Sequence, residues 1–197
     1  VSQVGFWIIA AQTGIALALG IPGEGLMGLF GPKGVFVGGN GALAFLLLAE
    51  VAAAVAVVSE AALVYIARHR NFLISGAMVA FQTALTFLFL IAARQQNFPE
   101  LYQAALPAVA LAISLGLASL VKAKLAARLL GAPVSVWRWP LVWASVAAAT
   151  TGSIAIRLPE WAELTFGIPA SLLAYGVVIW RWGFAEEDRA LFRKTSA

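Results

Sequence analysis

The 197-residue sequence contains no cysteine, one histidine (His69) and one aspartate (Asp188). The lack of cysteine excludes disulfides, thiolate metal sites and cysteine nucleophiles. A single histidine and a single aspartate are too few for a cluster of metal ligands or for a convincing Ser/His/Asp triad. We therefore predict no catalytic residues, no metal site and no cofactor, and we expect a protein that is not an enzyme.

Charged residues are also scarce. They make up 11% of the chain, whereas 62% of the residues are hydrophobic and the mean hydropathy is +0.91. Soluble domains contain about 25% charged residues, and one with this composition would expose large apolar surfaces to water. The composition predicts an integral membrane protein. The net charge of +4 is then explained by basic residues that flank membrane spans, and no nucleic-acid partner is expected.

Six apolar stretches have about the length of a membrane span, which is ~20 residues at 1.5 Å rise across ~30 Å of hydrocarbon. Turn-forming or charged segments such as 22–25 and 94–99 separate them and belong outside the hydrocarbon. We expect an all-α domain of six transmembrane helices over 1–184 and a solvated tail over 185–197. The predicted spans are 4–21, 42–66, 72–93, 104–121, 141–156 and 164–180.

Basic residues are divided unequally between the two sides of a six-span chain. One side holds both termini and the loops after the second and fourth spans, and it has ten basic residues. The other side has three, Lys33, Arg94 and Arg157. Cytoplasmic loops are enriched in Lys and Arg, so both termini are predicted to be cytoplasmic. The ten residues are Arg68, Arg70, Lys122, Lys124, Arg128, Arg138, Arg181, Arg189, Arg193 and Lys194.

The start of the chain lacks the positive region that precedes the apolar stretch of a signal peptide. The chain begins at Val1, and its first basic residue is Lys33. We therefore expect the first apolar stretch to be a membrane span. We also expect the chain to be a piece of a longer protein, although a processed N-terminus would look the same.

Two features are expected at the membrane interfaces. Segment 26–37 is apolar but too short and too rich in glycine to span, so we predict one or two amphipathic turns at the outer interface. Tryptophan prefers the headgroup layer, and those near the span ends are interpreted as an aromatic belt rather than a ligand-binding box. They are Trp137, Trp139, Trp143, Trp161, Trp180 and Trp182.

Two carboxylates, Glu50 and Glu60, interrupt the second span. An ionised side chain at the bilayer centre costs roughly 2.5–3.5 kcal/mol, so neither should face lipid. Ten residues separate them by about 80° around a helix, so they share one broad face. Together with Gln82 in the third span, they are our candidates for cavity or coupling residues.

Two interpretations of these carboxylates remain open. In the functional one, they line a cavity and take part in proton or cation coupling, or contact a polar substrate. In the structural one, they hold helices together, with Glu60 bonded to Gln82 or Thr86 on the next span.

A basic cluster follows the fourth span and consists of Lys122, Lys124 and Arg128. In the six-span topology it lies on the same side as Arg68 and Arg70. These five residues are candidates for contact with phosphate or lipid headgroups, because ammonium and guanidinium groups pair with phosphate oxygens. Membrane anchoring by the positive-inside rule explains the same residues.

Several short motifs resemble a transporter family. They are the LFGP stretch at 29–32, the basic turn at 68–71, the LVKAKL run at 120–125, and the tail segments 183–184 and 188–192. With the six spans, they resemble the C-terminal half of a lipopolysaccharide or O-antigen flippase of the multidrug/oligosaccharidyl-lipid/polysaccharide exporter superfamily.

The resemblance implies one lobe of a MATE-like twelve-helix transporter in the bacterial inner membrane. Such proteins have two six-helix lobes around a V-shaped cavity and move undecaprenyl-diphosphate-linked sugars between leaflets for polysaccharide or lipopolysaccharide biosynthesis. The implied partners are membrane lipids, the lipid-linked oligosaccharide and a second lobe, expected from an N-terminal part of the same chain. The family meets the pyrophosphate with cationic cavity residues. The span interiors here hold carboxylates and no mid-membrane Arg or Lys, so the second lobe would supply most of these cations.

Three alternatives remain. A drug/cation antiporter of the same superfamily would use a membrane carboxylate such as Glu60 for coupling. A non-catalytic membrane assembly subunit would need no such residue. A membrane enzyme would need clustered Asp, His or Arg for metal or phosphate chemistry, and this sequence has one Asp and one His.

Overall fold

The computed structural model describes residues 2–30, 37–131, 137–184 and 188, and the regular elements within these ranges are helical. A short 3₁₀ turn at Val37–Gly39 precedes the third helix, and the last helix contains π-helical turns at Glu163–Gly167 and Ile179–Gly183. The helices are α1 (Ser2–Gly20), α2 (Gly23–Gly28), α3 (Asn40–Ile66), α4 (Arg68–Gln95), α5 (Glu100–Leu130), α6 (Trp139–Ala155) and α7 (Glu160–Gly183).

Five of these helices, α1, α3, α4, α5 and α7, are long and apolar enough to cross a membrane. The prediction of an all-α membrane protein is thereby confirmed for the described residues. Helix α6 coincides with the fifth predicted span and has 17 residues. At 1.5 Å per residue it is about 26 Å long, slightly short of a ~30 Å hydrocarbon core.

Helix α5 extends beyond the apolar run that marked its predicted span. The run ends at Val121, but Lys, Ala, Leu and Arg follow, and all four favour helix. The helix ends after Leu130 because Gly131 adopts a left-handed conformation with φ of 64°, which glycine tolerates without strain. The basic cluster at 122–128 therefore lies on a helix and not in a loop.

The bundle has two parts that α1 joins. In the first part, α5 packs along α3, and α4 packs mainly on α5; in the second, α6 packs on α7. Helix α1 contacts α3, α6 and α7. The core between α1, α6 and α7 contains the buried side chains of Phe6, Leu141, Tyr175 and Ile179.

Small residues dominate the contact between α3 and α5. Their buried residues are mostly alanine and serine, which let helix backbones approach closely. Ser119 donates a hydrogen bond to the carbonyl oxygen of Ala52 at 2.6 Å. In contrast, α4 has two buried residues, Asn71 and Ala93, so the other described residues leave most of its surface uncovered.

Three predicted surface features can be compared with the structure, at least in part. Of the segment 26–37 expected at the outer interface, residues 26–28 form the end of the short helix α2, and residues 31–36 lie outside the described ranges. The six tryptophans interpreted as a belt are all exposed. The tail at 185–197 was expected to be solvated, but Asp188, its one described residue, is 1% exposed. That expectation is wrong for Asp188, and the rest of the tail lies outside the described residues.

Candidate functional site

Glu50 lies on the exposed surface of α3. It is the eleventh residue of a 27-residue helix, which places it about 15 Å from one end and 24 Å from the other. Its carboxylate makes no hydrogen bond or ion pair with any residue that the structure describes. The membrane helix therefore carries a carboxylate that the described part of the chain does not neutralise.

Glu60 lies further along α3 and is held by two other helices. Lys122 of α5 donates to Glu60 Oε2 at 3.1 Å, and Asn71 of α4 donates to Glu60 Oε1 at 3.2 Å. Lys122 also donates to Ser75 Oγ on α4 at 3.0 Å. These four residues, the Glu60–Lys122 network, connect α3, α4 and α5.

The two charged members of the network differ in burial. The Lys122 side chain is 5% exposed and the Glu60 side chain is 40% exposed. The sequence places Lys122 just beyond the end of the fourth predicted span, and the structure buries its side chain between α3, α4 and α5. The apolar run stops before Lys122, but the helix continues and turns this side chain toward α3.

Glu60 does not bond to the expected Gln82 or Thr86. It lies seven residues before Ala67, the single non-helical residue between α3 and α4. Asn71 and Ser75 are four and eight residues after Ala67, so they lie at the matching height, whereas Gln82 is fifteen residues away. Gln82 is partly buried on α4 and forms no hydrogen bond with a described residue.

The five predicted phosphate-contact residues do not lie together. Lys122 forms an ion pair with Glu60, while Arg70, Lys124 and Arg128 line an open groove of about 440 Å³ between α4 and α5. Arg68 is exposed at the start of α4. The walls of the groove are otherwise aliphatic: Leu73, Ile74, Val121 and Leu125.

A further polar cluster surrounds Asp188, which sequence reasoning missed. Arg138, just before α6, donates to Asp188 Oδ2 at 2.6 Å, and Gln3 and Trp7 of α1 donate to Oδ1 at 2.7 and 3.1 Å. Arg138 also lies 4.2 Å from the centre of the Phe6 ring. Asp188 follows Gln3 by 185 residues, and no local sequence pattern predicts a contact between residues so far apart.

No group of three or more His, Asp or Glu side chains that could hold a metal ion occurs in the described part of the chain. The chemically distinctive features are thus the exposed Glu50, the Glu60–Lys122 network, and the basic groove. Searches against models of protein families, curated protein sequences and solved structures gave no match for this chain.

Proposed function

We propose that this chain forms one lobe of a transporter that moves a lipid-linked oligosaccharide across the bacterial inner membrane. In this proposal, α6 crosses the membrane as the fifth of six spans, both termini are cytoplasmic, and a second six-helix lobe completes the transport cavity. The proposal combines the motifs that resemble flippases with one feature of the structure, the uncovered face of α3 that carries Glu50.

The face of α3 around Glu50 carries the proposal. Leu46, Val57 and Val64 are 45%, 55% and 45% exposed and recur with Glu50 at helical spacing. If this face met lipid, an ionised Glu50 would cost roughly 2.5–3.5 kcal/mol. A water-filled cavity or a second protein lobe avoids that cost. Substrate paths in membrane transporters are lined by polar residues of this kind.

The Glu60–Lys122 network bears on the competing antiporter hypothesis. A coupling carboxylate must exchange its proton or cation during transport. Glu60 instead accepts hydrogen bonds from the ammonium group of Lys122 and the amide of Asn71. This arrangement favours a structural role for Glu60. It leaves Glu50 as the carboxylate that a substrate or a second lobe can reach.

These 197 residues contain no cysteine, so single cysteines can be introduced here once any cysteines in the rest of the full-length protein have been replaced by serine. The gene for the full-length protein would be deleted in its host and restored with Val57→Cys or, as a matched control, Leu173→Cys. Leu173 is 68% exposed on α7, on a stretch with aliphatic exposed neighbours. A charged thiol reagent reacts with the thiolate, which forms in water and not in lipid.

We expect deletion to stop export of lipid-linked oligosaccharide and both variants to restore it. The reagent should then block export with Val57→Cys and leave export with Leu173→Cys unchanged. Undiminished export in the deletion strain would refute the transport function. An unreactive Val57→Cys would refute the placement of this face on the cavity.

A further inference from the structure

The groove between α4 and α5 has the two chemical halves of a lipid-binding site. Arg70, Lys124 and Arg128 supply cationic groups, and the remaining lining residues are aliphatic. Its volume of about 440 Å³ lies within the range of small-molecule sites, roughly 300–1,000 Å³. A free phosphate ion would use the cations alone, whereas a phospholipid would also use the aliphatic walls.

The cations of the groove have no counter-charge in the described part of the chain. The two ion pairs found there are Glu60–Lys122 and Arg138–Asp188, so Arg70, Lys124 and Arg128 remain unneutralised. None of the described residues that line the groove is a carboxylate. Three uncompensated cations beside an apolar surface fit an anionic headgroup attached to hydrocarbon chains.

A bound anion would also stabilise the first turn of α4. Its first turn contains Arg68, His69 and Arg70 and no acidic residue, and no side chain caps it. The N-terminus of a helix carries a partial positive charge, so basic residues there are unfavourable by some tenths of a kcal/mol each. An anionic group bound beside Arg70 would offset this repulsion and also accept from free backbone N–H groups.

We propose that this groove holds a resident phospholipid with two phosphate groups, as in cardiolipin. A lipid with one phosphodiester brings about one negative charge for three cations, while two phosphates compensate them more fully. The lipid would bridge Arg70 on α4 to Lys124 and Arg128 on α5. Because α4 buries few of its own residues, this bridge would stabilise the packing of α4 on α5. This role is separate from the transported substrate.

The test measures lipid binding to the full-length protein in detergent by native mass spectrometry and by the shift of its unfolding temperature. The probes are cardiolipin, phosphatidylglycerol, phosphatidylethanolamine and undecaprenyl diphosphate. The groove variant is Arg70→Gln/Lys124→Gln/Arg128→Gln. The control is Arg94→Gln/Arg157→Gln. It removes one exposed cation from the last turn of α4 and another from the turn between α6 and α7.

We expect cardiolipin to bind most tightly and to raise the unfolding temperature most. The groove variant should bind it roughly a hundredfold more weakly, since each cation near an anionic lipid contributes about fivefold. The control should change binding by less than about twofold. Binding should also weaken as salt rises, because these cations are exposed.

Three outcomes would overturn the proposal. Unchanged cardiolipin binding by the groove variant would show that cardiolipin does not bind in this groove. Equal affinities for phosphatidylglycerol and cardiolipin would show that the groove does not require two phosphates. Displacement of cardiolipin by a lower concentration of undecaprenyl diphosphate would make the groove a substrate site. If the variant does not fold, the ranking of the four lipids on the unmodified protein still decides the last two points.

Discussion

At the residue scale, the Glu60–Lys122 pair joins partners of unequal burial. Replacing Glu60 leaves the buried ammonium group of Lys122 with Ser75 as its remaining hydrogen-bond partner among the described residues, whereas replacing Lys122 leaves a carboxylate that is 40% exposed. Loss of one partner of a buried ion pair typically costs 3–5 kcal/mol. We expect Glu60→Met to lower the free energy of unfolding by about 3 kcal/mol and Lys122→Met by about 1 kcal/mol.

A double-mutant cycle measures this coupling by denaturant unfolding in mixed micelles. The double variant, Glu60→Met/Lys122→Met, should be more stable than Glu60→Met alone because no charge is left buried. Glu50→Met is the matched control on the same helix and should change stability by less than about 0.5 kcal/mol. Strictly additive costs for the two single variants would show that the pair is not energetically coupled.

At the element scale, one glycine permits the close approach of α6 and α7. A Cβ atom added at Gly167 would lie 2.7 Å from the Cβ of Ala155, whereas one added at Gly176 meets nothing within 4 Å. Both glycines lie on α7, and alanine favours helix over glycine by about 1 kcal/mol. Gly167→Ala should therefore destabilise the protein by about 1–3 kcal/mol through overpacking. Gly176→Ala should stabilise it slightly. Equal thermal shifts for the two variants would contradict this close contact.

At the scale of the whole molecule, the topology depends on whether the 17-residue α6 crosses the membrane. Reporter fusions after Arg70, after Arg128 and at the C-terminus should report cytoplasm, and fusions near Lys33, Gln96 and Glu160 should report periplasm, as the basic residues predict. If α6 does not cross, the Glu160 fusion would report cytoplasm and the C-terminal fusion periplasm. These two fusions thus distinguish six spans from five.

The sequence by itself determined the class of this protein. Long apolar runs interrupted by charged and turn-forming segments are a local property, because each membrane helix must satisfy its own backbone hydrogen bonds. The positions of α1, α3, α4 and α5 could therefore be read from composition along the chain. The ends were less predictable, since α5 continues past its apolar run until Gly131 stops it.

Only the tertiary structure decided which polar residues meet. Hydropathy shows that a polar side chain needs a partner but not which helix supplies it. That choice depends on how the helices turn and stack. The single-residue break at Ala67 brings Asn71 and Ser75 to the height of Glu60, and the extended α5 adds Lys122. The same packing leaves Glu50 without a partner among the described residues and gathers Arg70, Lys124 and Arg128 around one groove, because contacts between helices depend on distance in space and not along the chain.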